Sequence, residues 1–201
     1  MLQDLTDLIG FEIQATDKPA GKVHDIYIDD VLWTVRHVAI SDAGGLGTQL
    51  ASVEPDALGA LDPGRHHLHV TKPQDEIAGG PSVSIDPPAS HQQGHPGDPN
   101  LRSIRELAGY KVLGVDGALG TIDGFIADVE DWKIHFVVVA EIGAAARKVL
   151  VGPGLINEVL LGAKAVHLEL DQTHFAKSPP YDPSHPIERV EDVVLAASVG
   201  I

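Results

Sequence analysis

The sequence predicts an all-β protein, on three observations. Apolar residues recur with a period of two over short stretches bounded by Gly, Pro, Asp and Asn. Gly (21) and Pro (14) are plentiful among 201 residues, and Phe, Tyr and Trp together supply only 4%. That composition suits many short strands filled by Val, Ile, Leu and Ala better than long helices. Finally, residues 8–40, LIGFEIQATDKPAGKVHDIYIDDVLWTVRHVAI, return as residues 107–139, LAGYKVLGVDGALGTIDGFIADVEDWKIHFVVV, without a gap.

At an offset of 99, seven of the 33 aligned positions are identical: Leu8/Leu107, Gly10/Gly109, Asp17/Asp116, Gly21/Gly120, Asp29/Asp128, Trp33/Trp132 and Val38/Val137. The only two tryptophans occupy the same place in the two copies. A weaker echo places HHLHVT (residues 66–71) over AVHLELD (residues 165–171). The chain is therefore a tandem duplication, a feature that decides architecture before any single element does. Its expected domains are 1–81 and 101–184. Residues 82–100, rich in Pro, Gly, Ser and Gln, are expected to be a flexible joint, and residues 185–201 a tail.

Strands are predicted in order at 11–16, 21–29, 33–41, 49–53 and 66–71, then at 110–115, 120–128, 132–140, 147–152 and 165–170. TDKPAG and VDGALG are turn sequences in which Gly21 and Gly120 supply backbone angles that other residues avoid. Asp17, Asp116, Asp29 and Asp128 fall at turns, where a carboxylate accepts nearby backbone N–H groups. The run FVVVA (residues 136–140) is that of a strand covered on both faces. Short antiparallel strands with tight turns point to a small barrel in each copy, because closure removes exposed edges. In the tail, Ile187, Val190, Val193, Val194 and Ala197 have the spacing of a short amphipathic helix.

Charge and composition exclude several functions. The net charge is −15, from 29 acidic and 14 basic residues with no basic block, a poor basis for holding phosphate backbones or anionic lipid. Cysteine is absent, which removes disulfides, thiolate metal sites and cysteine nucleophiles. The first residues show neither the basic segment nor the apolar core of a signal peptide, and no apolar run approaches the roughly 20 residues of a membrane span. A cytoplasmic protein with no direct nucleic-acid contact and no membrane insertion is expected.

The pattern Leu-x-Gly-aromatic, then Asp-x-x-x-Gly-x-hydrophobic, then Asp, Trp and an apolar strand resembles the PRC-barrel family. Its positions here are Gly10, Asp17, Gly21, Asp29 and Trp33 in the first copy, and Gly109, Asp116, Gly120, Asp128 and Trp132 in the second. The family includes the cytoplasmic barrel of the photosynthetic reaction centre H subunit and the C-terminal barrel of the ribosome maturation factor. SPPYDPS (residues 178–184) looks like the segment that follows the barrel in reaction-centre-like members. The chain departs from both relatives: no membrane-spanning helix is expected before the barrel, and a second PRC-like copy stands in place of a different N-terminal barrel. The resemblance implies two small antiparallel PRC-like β-barrels in tandem, with short helical turns and a short C-terminal helix. In function it implies a non-catalytic module for protein interaction and assembly, of the reaction-centre-H-like or adaptor type. Self-association, or an intramolecular pseudo-dimer of the two copies, follows from the duplication.

Candidate chemistry is sparse. HHLH places His67 and His69 on one strand face, where an i, i+2 pair can chelate a metal if a third ligand arrives. That pair supports an alternative reading as a metal- or small-ligand-responsive protein. His24, His37 and His135 lie in or beside the tryptophan hairpins and can titrate near neutrality. No nucleophile elbow, phosphate loop or metalloprotease motif occurs, so no catalytic residue and no cofactor is expected.

Overall fold

The computed structural model describes residues 1–41, 49–84, 98–143, 147–185 and 187. The first copy contributes β1 (Leu2–Asp4), β2 (Glu12–Gln14), β3 (Pro19–Asp29), β4 (Thr34–Ser41), β5 (Gln49–Val53), β6 (Leu58–Asp62), β7 (His67–Val70), the short helix α1 (Gln74–Ala78) and β8 (Ser82–Ser84). The second contributes β9 (Leu101–Ser103), α2 (Ile104–Leu107), β10 (Lys111–Gly114), β11 (Gly117–Asp128), β12 (Lys133–Glu141), β13 (Lys148–Val151), β14 (Ile156–Leu160), β15 (Ala165–Leu168), α3 (Gln172–Phe175) and β16 (Pro180–Tyr181). Strands dominate and the helices are single turns, so the protein is all-β.

Two compact units emerge, cut differently from the sequence repeat. Unit A is Thr6–Arg105, and unit B is Met1–Leu5 together with Glu106–Ile201. Residues 82–100, expected as the joint, begin and end inside unit A. Ser82–Ser84 pairs with β5 there, and 85–97 lie outside the described residues. The chain changes unit at 5/6 and at 105/106. Of the tail, only His185 and Ile187 are described, so the helix expected over 187–197 lies outside the described residues.

Unit A runs β6-β7-β2-β3-β4-β5-β8, with β9 on the end of β3. Unit B runs β14-β15-β10-β11-β12-β13-β16, with β1 on the end of β11. Both paths are open among the described residues. The expectation of purely antiparallel sheets needs correcting, because β2 pairs β7 in parallel and β10 pairs β15 in parallel. The physical reason is the excursion through β6 or β14. That extra strand, which the sequence reading missed, reverses the chain once more before it returns to the sheet.

The long hairpins β3–β4 and β11–β12 hold the core. Ile26, Ile28, Val38 and Ile40 are buried in unit A, as are Phe125, Val137, Val138 and Val139 in unit B. Both faces of these strands are covered, as the continuous apolar run requires. In unit B the second face is a cluster of Leu2, Ile126, Phe136, Val138 and Leu150, with Tyr181 and Ile187 packed against it. In unit A its counterpart is Tyr27, Ala39, Val83 and Leu101, backed by Leu50. Leu2 and Leu101, one on each opening strand, close equivalent clusters.

Two glycine positions of the repeat carry definite structural requirements. Gly10 and Gly109 have φ of 90° and 85°, angles that place their N–H groups 2.8 Å from the carbonyls of Val23 and Ile122. Gly21 also has a positive φ, of 105°. Gly120 does not, contrary to expectation. Its requirement is space, since an added Cβ would run into the carbonyl oxygen of Ala140 and press on Val139.

Candidate interaction site

Each long hairpin ends in a turn organised by an aspartate. In unit A, Asp29 Oδ1 accepts the N–H groups of Val31 and Leu32, both at 2.9 Å. The Trp33 N–H closes the turn on the Asp29 carbonyl at 2.9 Å. In unit B, Asp128 Oδ1 accepts from Glu130 at 3.0 Å and the Trp132 N–H reaches the Asp128 carbonyl at 2.7 Å. The Met1 ammonium also lies 2.7 Å from Asp128 and holds that carboxyl below the usual carboxylate range. The tryptophans were expected to open strands. They instead end the turns in the left-handed region, with φ of 53° and 56°, while their rings are buried.

The turn tips have diverged. In unit A the tip presents Val31 and Leu32, 66% and 59% exposed. At an offset of 99 the second copy has Glu130 and Asp131 instead. Repeated structure with opposite surface chemistry marks the first tip as the more unusual of the two, because exposed branched apolar side chains at a fixed turn gain nothing from folding.

The other recurring acids cap backbone, but at long range. Asp17 Oδ1 accepts the N–H of Gln74 at 2.9 Å, and Asp116 Oδ1 that of Gln172 at 3.0 Å. Each fastens the first turn of a short helix, α1 or α3, more than 50 residues onward. The Gln74 N–H holds Asp17 below the ordinary range.

Asp25, Arg102 and Ser103 were not singled out from the sequence. On β9, Arg102 Nε lies 2.7 Å from Asp30 Oδ2, and both side chains are nearly buried, at 11% and 8% exposure. Beside them Ser103 Oγ donates to Asp25 Oδ2 at 2.5 Å, while Asp25 Oδ1 accepts from the Ile26 N–H at 2.8 Å. Burial pushes the carboxyls of Asp25 and Asp30 up, against these hydrogen bonds and the Arg102 charge. In unit B the corresponding carboxylate comes from the other strand. Asp4 on β1 accepts the N–H of Phe125, and Gly124 stands where unit A has Asp25. Extending the repeat alignment back from Leu8 to Leu2 would have exposed these positions, since Leu2 and Leu101 also stand 99 apart.

Among the described residues the histidines do not converge. His67 Nε2 lies 3.2 Å from Glu12 Oε2 across the parallel β2–β7 ladder, and the His67 and His69 rings are 6.5 Å apart and nearly perpendicular. Among the described residues no group of three His, Cys, Asp or Glu could hold a metal ion, so the structure supplies no third ligand for His67 and His69. His66 has a φ of 56° and stacks on Phe11 at 4.9 Å. His37 occupies the place of Phe136 and lines a shallow cleft of about 340 Å³ with Arg36, Glu54 and Asp56. Its Nδ1 is buried without a partner among the described residues, and burial pulls its pKa down. The geometry thus offers hairpin tips and strand edges for recognition. No helix among the described residues is long and apolar enough to cross a membrane. No protein-family model matches this sequence, and no curated protein does either.

Proposed function

We propose that the chain is a tandem of two PRC-like barrels acting as a non-catalytic module for protein interaction and assembly in the cytoplasm. The repeat supports the architecture: both units use the same ladder order, the same turn aspartates and the same left-handed tryptophan. The observation that carries the functional reading is the Val31–Leu32 tip. Asp29 fixes its backbone with two hydrogen bonds, so the backbone that presents the two apolar side chains has little conformational entropy left to lose on binding. The net charge of −15 selects a partner whose apolar pocket is rimmed by basic residues.

The test is affinity capture with the full chain and with Val31→Glu/Leu32→Asp, which copies the second tip. Because the second tip already carries these acids, the variant should fold normally, as checked by circular dichroism. A recurrent protein partner held by the wild type and lost with the variant is the expected result. The same partners with both proteins, or none with either, would overturn the assignment.

A further inference from the structure

The opening strands are exchanged reciprocally. β9, which begins the second copy, completes unit A, and β1, which begins the first copy, completes unit B. The registers match: Leu101, Arg102 and Ser103 face Asp29, Ile28 and Tyr27, while Leu2, Gln3 and Asp4 face Asp128, Ala127 and Ile126. From the unit B ladder to the unit A ladder, each opening-strand residue rises by 99 and each hairpin residue falls by 99. The backbone therefore cannot tell the two strands apart, and only side chains can.

The side chains differ at two matched sites. At the first, unit A joins Arg102 to Asp30, and the corresponding residues of unit B are Gln3 and Val129. At the second, unit A joins Ser103 to Asp25, and unit B joins Asp4 to the N–H of Phe125 over Gly124. A Cβ at Gly124 would lie 2.6 Å from Asp4 Oδ2, so Asp4 occupies the room that Asp25 fills in the other unit. Each edge thus holds one carboxylate at the second site and balanced charge at the first.

Exchanging the strands breaks both rules. β1 on β3 would set Gln3 against the Asp30 carboxylate and Asp4 against Asp25, leaving one buried charge without its partner and two carboxylates together. β9 on β11 would bury the Arg102 guanidinium against Val129 and leave the Phe125 N–H without its carboxylate. Removing one partner of a buried pair is strongly destabilising, far more than replacing the whole pair.

We propose that Arg102–Asp30 with Ser103–Asp25, and Gln3–Val129 with Asp4–Gly124, form a recognition code by which each unit accepts the opening strand of the unlike copy and rejects its own. The partner selected by the edge of β3 is a Leu-Arg-Ser strand, and that selected by β11 is a Leu-Gln-Asp strand. The code is independent of the hairpin tip and of what binds there.

The test is transplantation in the full chain. Arg102→Gln/Ser103→Asp gives unit A the wrong strand, and the melting temperature should fall by about 10 °C. Adding Asp30→Val/Asp25→Gly completes the unit B set and should restore most of that loss. If the double variant does not fold, recovery of a folded quadruple variant is itself the expected result. A harmless double variant, or a quadruple variant no better than the double, would overturn the code. A second measurement reads partner choice. With a protease site placed between residues 85 and 97, the cut chain, unfolded and refolded, should return as one-to-one complexes of its two pieces. Like-with-like dimers or separate pieces would refute the proposal.

Discussion

Trp33→Gly sets two effects against each other. A left-handed backbone costs a non-glycine residue about 1–2 kcal/mol, and glycine would relieve that strain at φ 53°. Against it stands burial: the Trp33 side chain is 8% exposed, and a tryptophan buries up to about 250 Å². At about 25 cal/mol per Å² that is at most about 6 kcal/mol, reduced because the unfolded chain already hides part of the ring. Glycine also has more freedom to lose on folding, about 0.5–1 kcal/mol. Burial wins, and the net loss is expected to be about 3 kcal/mol. Urea unfolding followed by circular dichroism measures it. Trp132 is then the only tryptophan, so its fluorescence reports separately on unit B. Trp132→Gly should cost as much or more, since that ring is only 4% exposed. A Trp33→Gly protein as stable as the wild type would show that the ring is a passenger of its turn, and that the recurrence of tryptophan has another cause.

The turn acids and the exchange-site acid respond to pH in opposite senses. Asp17 is held below its ordinary value in the folded state, so its contribution is present above about pH 4 and is lost as pH falls through the lower folded value. Asp17→Ala should lower the melting temperature by a few degrees at pH 7, and a thermal series should show the gap closing in acid. Persistence of the full gap at pH 2 would refute the capping role. Asp25 is raised by burial, so its protonated form favours folding: that contribution is complete below the unfolded value and is lost as pH rises through the higher folded value. Asp25→Asn keeps an acceptor for the Ile26 N–H and a donor toward Ser103. It should gain stability relative to wild type as pH rises from 4 to 7, and a constant difference across that range would sink the assignment.

Much of the sheet was legible because the hairpins obey a period of two and carry turn residues at fixed places. β3, β4, β11 and β12 lie close to where alternation puts them. β6 and β14 were not legible: LGALD and INEVL are half-exposed, with Gly59 or Asn157 where a strand signal wants a branched residue. The three-residue β1 and β9 lack the length for any periodicity. Gly120 was read as a backbone-angle residue because spacing to the preceding Asp cannot distinguish a torsional need from a steric one. The acids Asp17 and Asp116 were legible as caps but not in their partners, since a bond spanning more than 50 residues leaves no local trace. The charge pairs on the exchanged strands escaped for a similar reason. Arg102 and Asp30 have no sequence proximity, and only the fold brings them together.

Covalent linkage does not favour the unlike pairing. Both pairings lie within one chain, and β1 stands much nearer in sequence to β3 than to β11, so loop closure alone favours the like strand. That preference is weak, because the entropy of closing a loop grows only slowly with its length. A buried charge set against the wrong neighbour is a larger penalty. Setting Asp4 against Gly124 and Arg102 against Asp30 makes the like strand costly, which tethering cannot do. The divergence of the two copies at these contacts, while Leu2 and Leu101 stay the same, is what a duplicated fold requires to keep each opening strand on the unlike copy.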